Sequence, residues 1–560
     1  WCKNHPDILT GWNVKFFDLP YLMNRMRYMF DNDTINKMSP WNYVNADRIQ
    51  FGQKNQQFWN ILGVSVLDYF DLYRKFTYVR QESYKLNYIA KVELGESKLD
   101  NPYETFKDFY TKDYQRFVEY NIQDVELVDR LEDKMKLIEL CLTMAYDYKV
   151  NYTDVYSQVR CWDTIIYNHL RDKNIVIPPR EDHEKDTQYE GAYVKDPQLG
   201  LHNWIVSFDL NSLYPHLIMQ YNISPEMFVG VEPKAVGVEN FLEEKLNLKW
   251  AKERDVTIAP NGAMFRRDKQ GFLPELMEKM YTERVVFKKK SIEAKKEYQK
   301  TKDPIYKNEI SRCHNIQMAK KISLNSAYGA IGNQYFRYFD VKQAEAITLG
   351  GQLSIRWVER DVNRFMNKIL NTTNVNYIVA SDTDSIYLRL DTLVKKVCKD
   401  KTPQQITDFL DKAAEEKIQK VIDDSFKNLA VYVNAYQQKM IMKREAIANK
   451  GIWVAKKRYM MNVFDEEGVK YDIPKLKIMG VEAVKSSTPE VCRGKIKDAI
   501  RVIMNDSEDA LIKFVNDFKE VFMTLSPEEV AFPRSCNNVN KYIDSNSIYK
   551  KGTPIHVKGA

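Results

Sequence analysis

The feature that most restricts the fold is a pair of long helical stretches joined by four residues. From Glu275 to Lys300 the chain is highly charged and contains neither glycine nor proline. A helix over that span runs about 39 Å at 1.5 Å per residue. Thr301-Lys302-Asp303-Pro304 then reads as a turn, and Ile305 to Tyr328 resumes as helix. Two such helices on so short a link fold back as an antiparallel hairpin. The chain has 560 residues, more than one core usually takes, so this hairpin is one module among several.

Hydrophobic residues make up 44% and aromatics 12%, enough for sizeable cores, and 29% charged residues suit water. No run of about 18 apolar residues appears, so no membrane span is expected. The chain opens at Trp1 without a signal-peptide pattern and reads as an internal segment of a longer protein. The seven cysteines are scattered and form no C-x-x-C pair, which argues against a disulfide framework or a zinc ribbon and for a reducing compartment. The net charge is +7. Its placement says more than its size: Lys288, Lys289, Lys290, Lys295, Lys296 and Lys300 form one cluster, and Lys443, Arg444, Lys450, Lys456, Lys457 and Arg458 a second. Such tracts can follow a phosphate backbone. They are also what a solvated helix face looks like, and charge alone favours that reading.

The first 140 or so residues mix short apolar runs, such as Ile61 to Tyr69, with helical stretches, and read as an α/β unit. Trp204 to Leu210 reads as a buried strand. Asn376 to Ala380 and Ser385 to Arg389 read as two strands flanking a tight turn, and Gln404 to Phe426 as an amphipathic helix. The turn holds Asp382-Thr383-Asp384. Strand-like alternation lets Asp382 and Asp384 point the same way. Two close carboxylates repel, and a divalent cation with open positions, which suits Mg²⁺, removes the conflict. An Asp-rich turn is common, so the triplet needs company. Asp209, at the end of the Trp204–Leu210 strand, supplies a third carboxylate and completes a set suited to two-metal phosphoryl transfer. On the hairpin, Arg284 and Lys288 share one face, as do Lys321, Asn325 and Tyr328. Cations beside such a platform suit a triphosphate with its base above.

Taken together, these strings resemble the family B DNA polymerases. Asp209-Leu210-Asn211-Ser212-Leu213-Tyr214-Pro215 is similar to motif A of that family, Lys321 to Gly329 to motif B, and Asp382-Thr-Asp-Ser385 to motif C. Lys456-Lys457-Arg458-Tyr459 is similar to the motif that contacts the primer strand, and all four stand in family order. Asn222 to Glu226, Gly332 to Tyr338, Arg444 to Ala448, Lys477 to Gly480 and Ser486 to Pro489 resemble the replicative polymerases of T-even-type tailed phages. The resemblance implies that Asp209 and Asp384 hold two Mg²⁺ ions, with the Leu210 backbone, and that Asp382 holds or supports them. Arg284, Lys288 and Lys321 then bind the triphosphate, with Ser212 and Leu213 beside it. Tyr214 sits against the sugar and excludes a 2′-hydroxyl, while Asn325 and Tyr328 line the nascent base pair. The departures are His216 where a small serine is usual, and Ala380-Ser381 where Tyr-Gly is usual. The interval between motifs A and B is also short for a T-even-type enzyme.

Thr10-Gly-Trp-Asn13 to Asp18 resembles the second motif of a proofreading 3′–5′ exonuclease, and Tyr120 to Asp124 the third. Tyr120 and Asp124 are one helical turn apart, so Asp124 could bind metal while Tyr120 orients water. The D-x-E first motif is absent upstream of Asn13, and Asp182-His-Glu184 reads as a loop. Losing that metal stabilisation slows cleavage by roughly two to four decades, so weak exonuclease activity is expected.

The expected architecture is a multi-domain α/β chain. It combines a truncated ribonuclease-H-like exonuclease portion with a right-hand polymerase of antiparallel palm sheet, helical-hairpin fingers and truncated helical thumb. The divisions are 1–137 exonuclease, 138–200 connecting segment, 201–273 palm, 274–334 fingers, 335–480 palm and 481–560 thumb. The expected reaction is addition of deoxynucleotides to a primer 3′-hydroxyl. The partners are primer-template DNA and deoxynucleoside triphosphates, in a host cytoplasm. A sliding clamp, met through a C-terminal tail that this chain lacks, is a partner by resemblance only. The alternative is a fragment that grips primer-template without catalysing synthesis. A protein-primed relative is disfavoured, because motifs A and B leave no room for its insertions.

Overall fold

The computed structural model describes residues 1–51, 54–77, 79–184, 188–485, 488–531, 542 and 553. In the N-terminal part, the helix Asp18–Met29 packs on a hairpin of Val44–Phe51 and Lys54–Ile61, with Met23, Trp59 and Ile61 at its centre. Ile8–Leu9 and Ser65–Val66 form a short parallel pair. The apolar run from Ile61 to Tyr69 is therefore not one strand. It breaks at Gly63, whose φ of 84° suits glycine and whose missing side chain leaves room for Pro40, 2.4 Å from where a Cβ would stand. Downstream come helices α1 (Tyr114–Met135), α2 (Leu137–Tyr148) and α3 (Gln158–Asp172).

The centre is a six-stranded sheet of β1 (Gly200–Leu210), β2 (Ile378–Asp382), β3 (Ser385–Arg389), β4 (Met442–Ala455), β5 (Arg458–Glu466) and β6 (Val469–Met479), in the order β6-β5-β4-β1-β3-β2. Every neighbouring pair is antiparallel. Beyond β1 the chain enters α4 (Leu213–Tyr221), and later the two long helices α5 (Phe272–Thr301) and α6 (Pro304–Ile331). The hairpin expected from the sequence is present, and its turn works as the residues suggest. Lys302 takes a left-handed φ of 58° and the Asp303 side chain caps α6 by accepting from the Ile305 N–H.

The hairpin is fixed at its root. The Tyr148 hydroxyl donates to the Ala319 carbonyl at 2.9 Å, and the Trp162 indole N–H to Ser326 at 3.1 Å. Lys320, only 9% exposed, is paired with Asp147 at 2.8 Å and Glu283 at 2.6 Å. Helix α7 (Val341–Leu370) runs beneath α4, where Gly350 and Gly351 allow close approach: Cβ atoms there would already touch Leu217 at 3.5 Å and Leu213 at 3.4 Å. The segment expected as one helix from Gln404 to Phe426 is helical from Pro403 to Tyr432, with a wider π turn at Ala414–Ile418. The C-terminal region is helical over Glu490–Asn505 and Glu508–Phe522. Ser486 and Ser487, and all of the end beyond Ala531 except Tyr542 and Thr553, lie outside the described residues. Among the described residues no helix is long and apolar enough to cross a membrane.

Candidate active site

Strand pairing brings the aspartates together. Asp209, the last residue but one of β1, lies opposite Ser385 of β3, and the Leu210 N–H donates to the Asp384 carbonyl at 2.8 Å. Between β2 and β3 the chain turns on Thr383, a non-glycine residue at φ 59°. The alternation expected along Asp382-Thr-Asp384 is interrupted there. Asp384 interacts with Asp209, whereas Asp382 forms an ion pair with Lys457 at 3.0 Å and accepts from the Thr383 hydroxyl at 3.0 Å. Burial pushes the Asp209 carboxyl up to about 7, helped by the nearby charges of Asp384 and Glu445. Burial likewise pushes Asp384 up to about 6, with Asp382 and Glu445 adding to the rise. Among the described residues no three His, Cys, Asp or Glu side chains are arranged as a ready-made metal cage. A half-buried carboxylate pair, each member repelling the other, instead suits a hard divalent ion that keeps waters and takes further oxygens from a phosphate ligand.

Three residues of the long hairpin, Arg284, Tyr281 and Tyr328, reach the segment that follows Asp209. Arg284 donates to the Ser212 hydroxyl at 3.2 Å, and its Nε is buried without a hydrogen-bond partner. Ser212 itself is left-handed, φ 47°, at the start of α4, and its carbonyl accepts from the His216 ring at 2.9 Å. His216, the unusual residue of this motif, is buried edge-on against Tyr281 with ring centres 4.5 Å apart, and burial lowers its pKa. Leu210 and Leu213 are buried beneath. Tyr214 packs on Tyr328 with ring centres 4.7 Å apart, and the Tyr328 hydroxyl meets that of Tyr189 at 3.3 Å. Lys288 and Asn325 are exposed and Lys321 is half-buried.

The basic string 456–459 is the turn and first residues of a β hairpin. Lys457 sits at φ 60°, and Gly480 must be glycine because a Cβ would lie 2.1 Å from the Lys457 carbonyl. Lys456 pairs with Asp196 at 3.0 Å and Arg458 with Glu482 at 2.5 Å. Tyr459 is not a free aromatic face: it is buried, stacked on Trp453 at 5.4 Å, with its hydroxyl 2.8 Å from that of Tyr387. Arg444, grouped by sequence with this cluster, is bound between Asp411 at 2.8 Å and Asp465 at 2.6 Å. The second basic tract is therefore partly structural, and Lys443, Lys456 and Lys457 are its exposed members.

Two residues escaped the reading of the sequence as site members. Glu445 is the extra residue of a β-bulge, since Arg444 and Ala446 pair with the adjacent residues Phe208 and Ser207. The bulge turns Glu445 toward Ser207, 3.0 Å away, and Lys477, 2.6 Å away, next to the aspartates. Only a known pairing register reveals this. Tyr189 likewise comes from the segment before β1, which carried no signal.

A second acidic group lies in the N-terminal part. Asp18, raised by burial, also feels the charge of Asp124. Asp124 pairs with Lys98 at 2.5 Å, and Lys98 also donates to the Tyr120 hydroxyl at 3.1 Å. Asn13 contributes its backbone: its N–H donates to Asp68 at 2.9 Å, in a left-handed turn of φ 65°. Asp182, His183 and Glu184 are in a loop, as expected.

The chain is similar to known proteins along its whole length. Residues 150–552 match the model for DNA polymerase family B, and residues 1–89 match its exonuclease domain. The DNA-directed DNA polymerase of Escherichia phage RB69 is 35% identical over all of this chain and 67% of its own length. That of Enterobacteria phage T4 is 32% identical over the same shares. DNA polymerase 1 of Pyrococcus abyssi is 26% identical over 94% of this chain and 59% of its own. The chain belongs to DNA polymerase family B.

Proposed function

We propose that this chain performs template-directed DNA synthesis, adding deoxynucleotides to a primer 3′-hydroxyl, with two Mg²⁺ ions held between Asp209 and Asp384. The observation that carries this is the half-buried pair itself: burial raises Asp209 to about 7, with the charge of Asp384 adding to the rise, and Asp384 to about 6, with Asp382 and Glu445 adding to it. Such a pair is costly unless something positive joins it. When bound, the ions supply an activated 3′-oxygen and charge neutralisation on the leaving pyrophosphate.

The chain's own residues do the rest. Arg284, Lys288 and Lys321 present cations to the triphosphate from two helices. Tyr214, held on Tyr328, forms a floor beneath the sugar that leaves no room for a 2′-hydroxyl. Asn325 and Tyr328 line the new base pair. Lys457, which pairs with Asp382, and Lys456 stand where the primer phosphates leave. In this reading the central sheet is the palm (201–273 and 335–480), the hairpin the fingers (274–334), and the helices after 480 part of the thumb. Residues 1–137 form the exonuclease portion, in which Asp18, Tyr120 and Asp124 gather, and 138–200 connects the two.

Primer extension by Asp209→Ala and Asp384→Ala variants tests the assignment. Each should fall by about a thousandfold, the rate equivalent of roughly 4 kcal/mol of lost transition-state stabilisation. Undiminished extension would overturn it. Full DNA affinity with no extension by the parent chain would favour a grip without catalysis.

A further inference from the structure

Strand β2 is the edge of the sheet, so the aspartate turn lacks a neighbouring strand on its outer side. The irregular segment 193–198 covers it instead. Val194 bridges Asp382, and the Lys195 N–H donates to the Ser381 carbonyl at 3.0 Å. The Gln198 N–H donates to Val379 at 2.8 Å, and the Thr383 N–H donates back to Tyr193 at 2.9 Å. The last of these holds the one residue between the two aspartates.

Side chains anchor this strap. The Lys195 ammonium is ion-paired with Glu359 on α7, and the two side chains are only 12% and 13% exposed. Lys195 also reaches the Asn376 side-chain oxygen at 3.4 Å. The other Glu359 oxygen accepts from the Ser381 hydroxyl at 3.4 Å. One shielded carboxylate thus ties together the strap, the helix under the sheet and the residue before Asp382. Ion pairs shielded in this way add little net stability, but breaking one leaves a charge that must find a new place, so they fix geometry. Groups that hold a metal need that fixing to within a fraction of an ångström.

We propose that Lys195 is a positioning residue which, through Glu359 and Ser381, clamps the strap onto β2 and sets the Asp382–Asp384 turn against Asp209. This rests on the reading of Asp209 and Asp384 as the metal-holding pair. Lys195→Met keeps the apolar stem and removes the charge, Lys195→Arg keeps the charge, and Ser381→Ala removes only the hydroxyl. Amide hydrogen exchange without metal reads the clamp directly. In Lys195→Met the amides of Thr383 and Asp384 should exchange faster while those of β4 and β5 do not change. The magnesium concentration for half-maximal primer extension should rise about tenfold, as for other residues that orient metal-holding groups, with the KM for deoxynucleotide within about twofold. Lys195→Arg should recover most of both effects, and Ser381→Ala should shift them in the same direction by less.

Uniformly faster exchange with an unchanged magnesium requirement would make Lys195 merely structural and overturn the proposal. If Lys195→Met fails to fold, Ser381→Ala decides: no change in either measurement overturns it. Should Asp384→Ala extend primers normally, the metal reading fails, while local protection of the turn by Lys195 can still be read by exchange.

Discussion

Replacing Asp209 by asparagine should make the metal-free protein more stable. In the fold the Asp209 carboxyl rises from its ordinary 3.8 to about 7. A raised carboxyl keeps its proton in the folded state after the unfolded chain has lost it. The stability gained from that proton is complete below about 3.8 and is lost as pH rises through about 7. Asparagine resembles the protonated form at every pH. At about 1.4 kcal/mol per tenfold, the rise from 3.8 to about 7 sets a ceiling of about 4 kcal/mol on the difference at pH 8. The site is partly open to water, so screening brings the expected gain to about 1–3 kcal/mol. Urea unfolding in the presence of chelator, at pH 5 and pH 8, measures it. The advantage of the variant at pH 5 should be somewhat under half of that at pH 8. Added Mg²⁺ should shrink it by stabilising only the parent's folded state. A variant no more stable than the parent at pH 8, or a gap equal at both pH values, would refute the claim that burial and the neighbouring carboxylates hold the Asp209 carboxyl up.

Two further outcomes follow from pairs near the site. Lys320→Met leaves Asp147 and Glu283 without their shared partner on a 9%-exposed side chain, and should cost about 3 kcal/mol in urea unfolding. A loss under about 1 kcal/mol would mean that the hairpin root is held by packing alone. Glu445→Ala strips Lys477 and Ser207 of a partner, costing about 2 kcal/mol. It also removes one of the charges that raise Asp209, so the loss of stability on going from acid to neutral pH should move to lower pH, as read by the same unfolding series.

What the sequence disclosed depended on how locally each signal was written. The hairpin was legible because helix length, turn proline and Asp303 cap all lie within one stretch of chain. The aspartates were legible because motif order survives in one dimension. Glu445 was not, because a bulge exists only relative to a partner strand, here β1, more than 200 positions away. The same holds for Arg444 and Arg458: as letters they join a basic tract, yet carboxylates brought in by the fold consume both. The burial of Tyr459 was likewise not legible, since only alternation along β5 turns it into a cluster with Trp453 and Tyr387.

The site is also where the backbone departs from ordinary conformations, and one departure is testable. Ser212, Thr383 and Lys457 are all left-handed without being glycine: Ser212 follows Asp209 by three residues, Thr383 lies between Asp382 and Asp384, and Lys457 pairs with Asp382. Thr383 is the sole β-branched residue among the described non-glycine positions with positive φ. That conformation costs a β-branched residue on the order of 1–2 kcal/mol, and it persists only where neighbours impose it. The Tyr193 carbonyl and the Asp382 carboxylate are those neighbours, at 2.9 Å and 3.0 Å. Thr383→Gly removes the strain together with the hydroxyl contact. Stability should then stay level or rise by up to about 1 kcal/mol in urea unfolding. Primer extension should nonetheless fall, because the glycine turn samples arrangements in which Asp384 no longer meets Asp209. If the glycine variant instead loses more than about 1 kcal/mol, Thr383 is a stabilising residue and not a strained one. If it keeps full activity, the turn owes its shape to the strap alone.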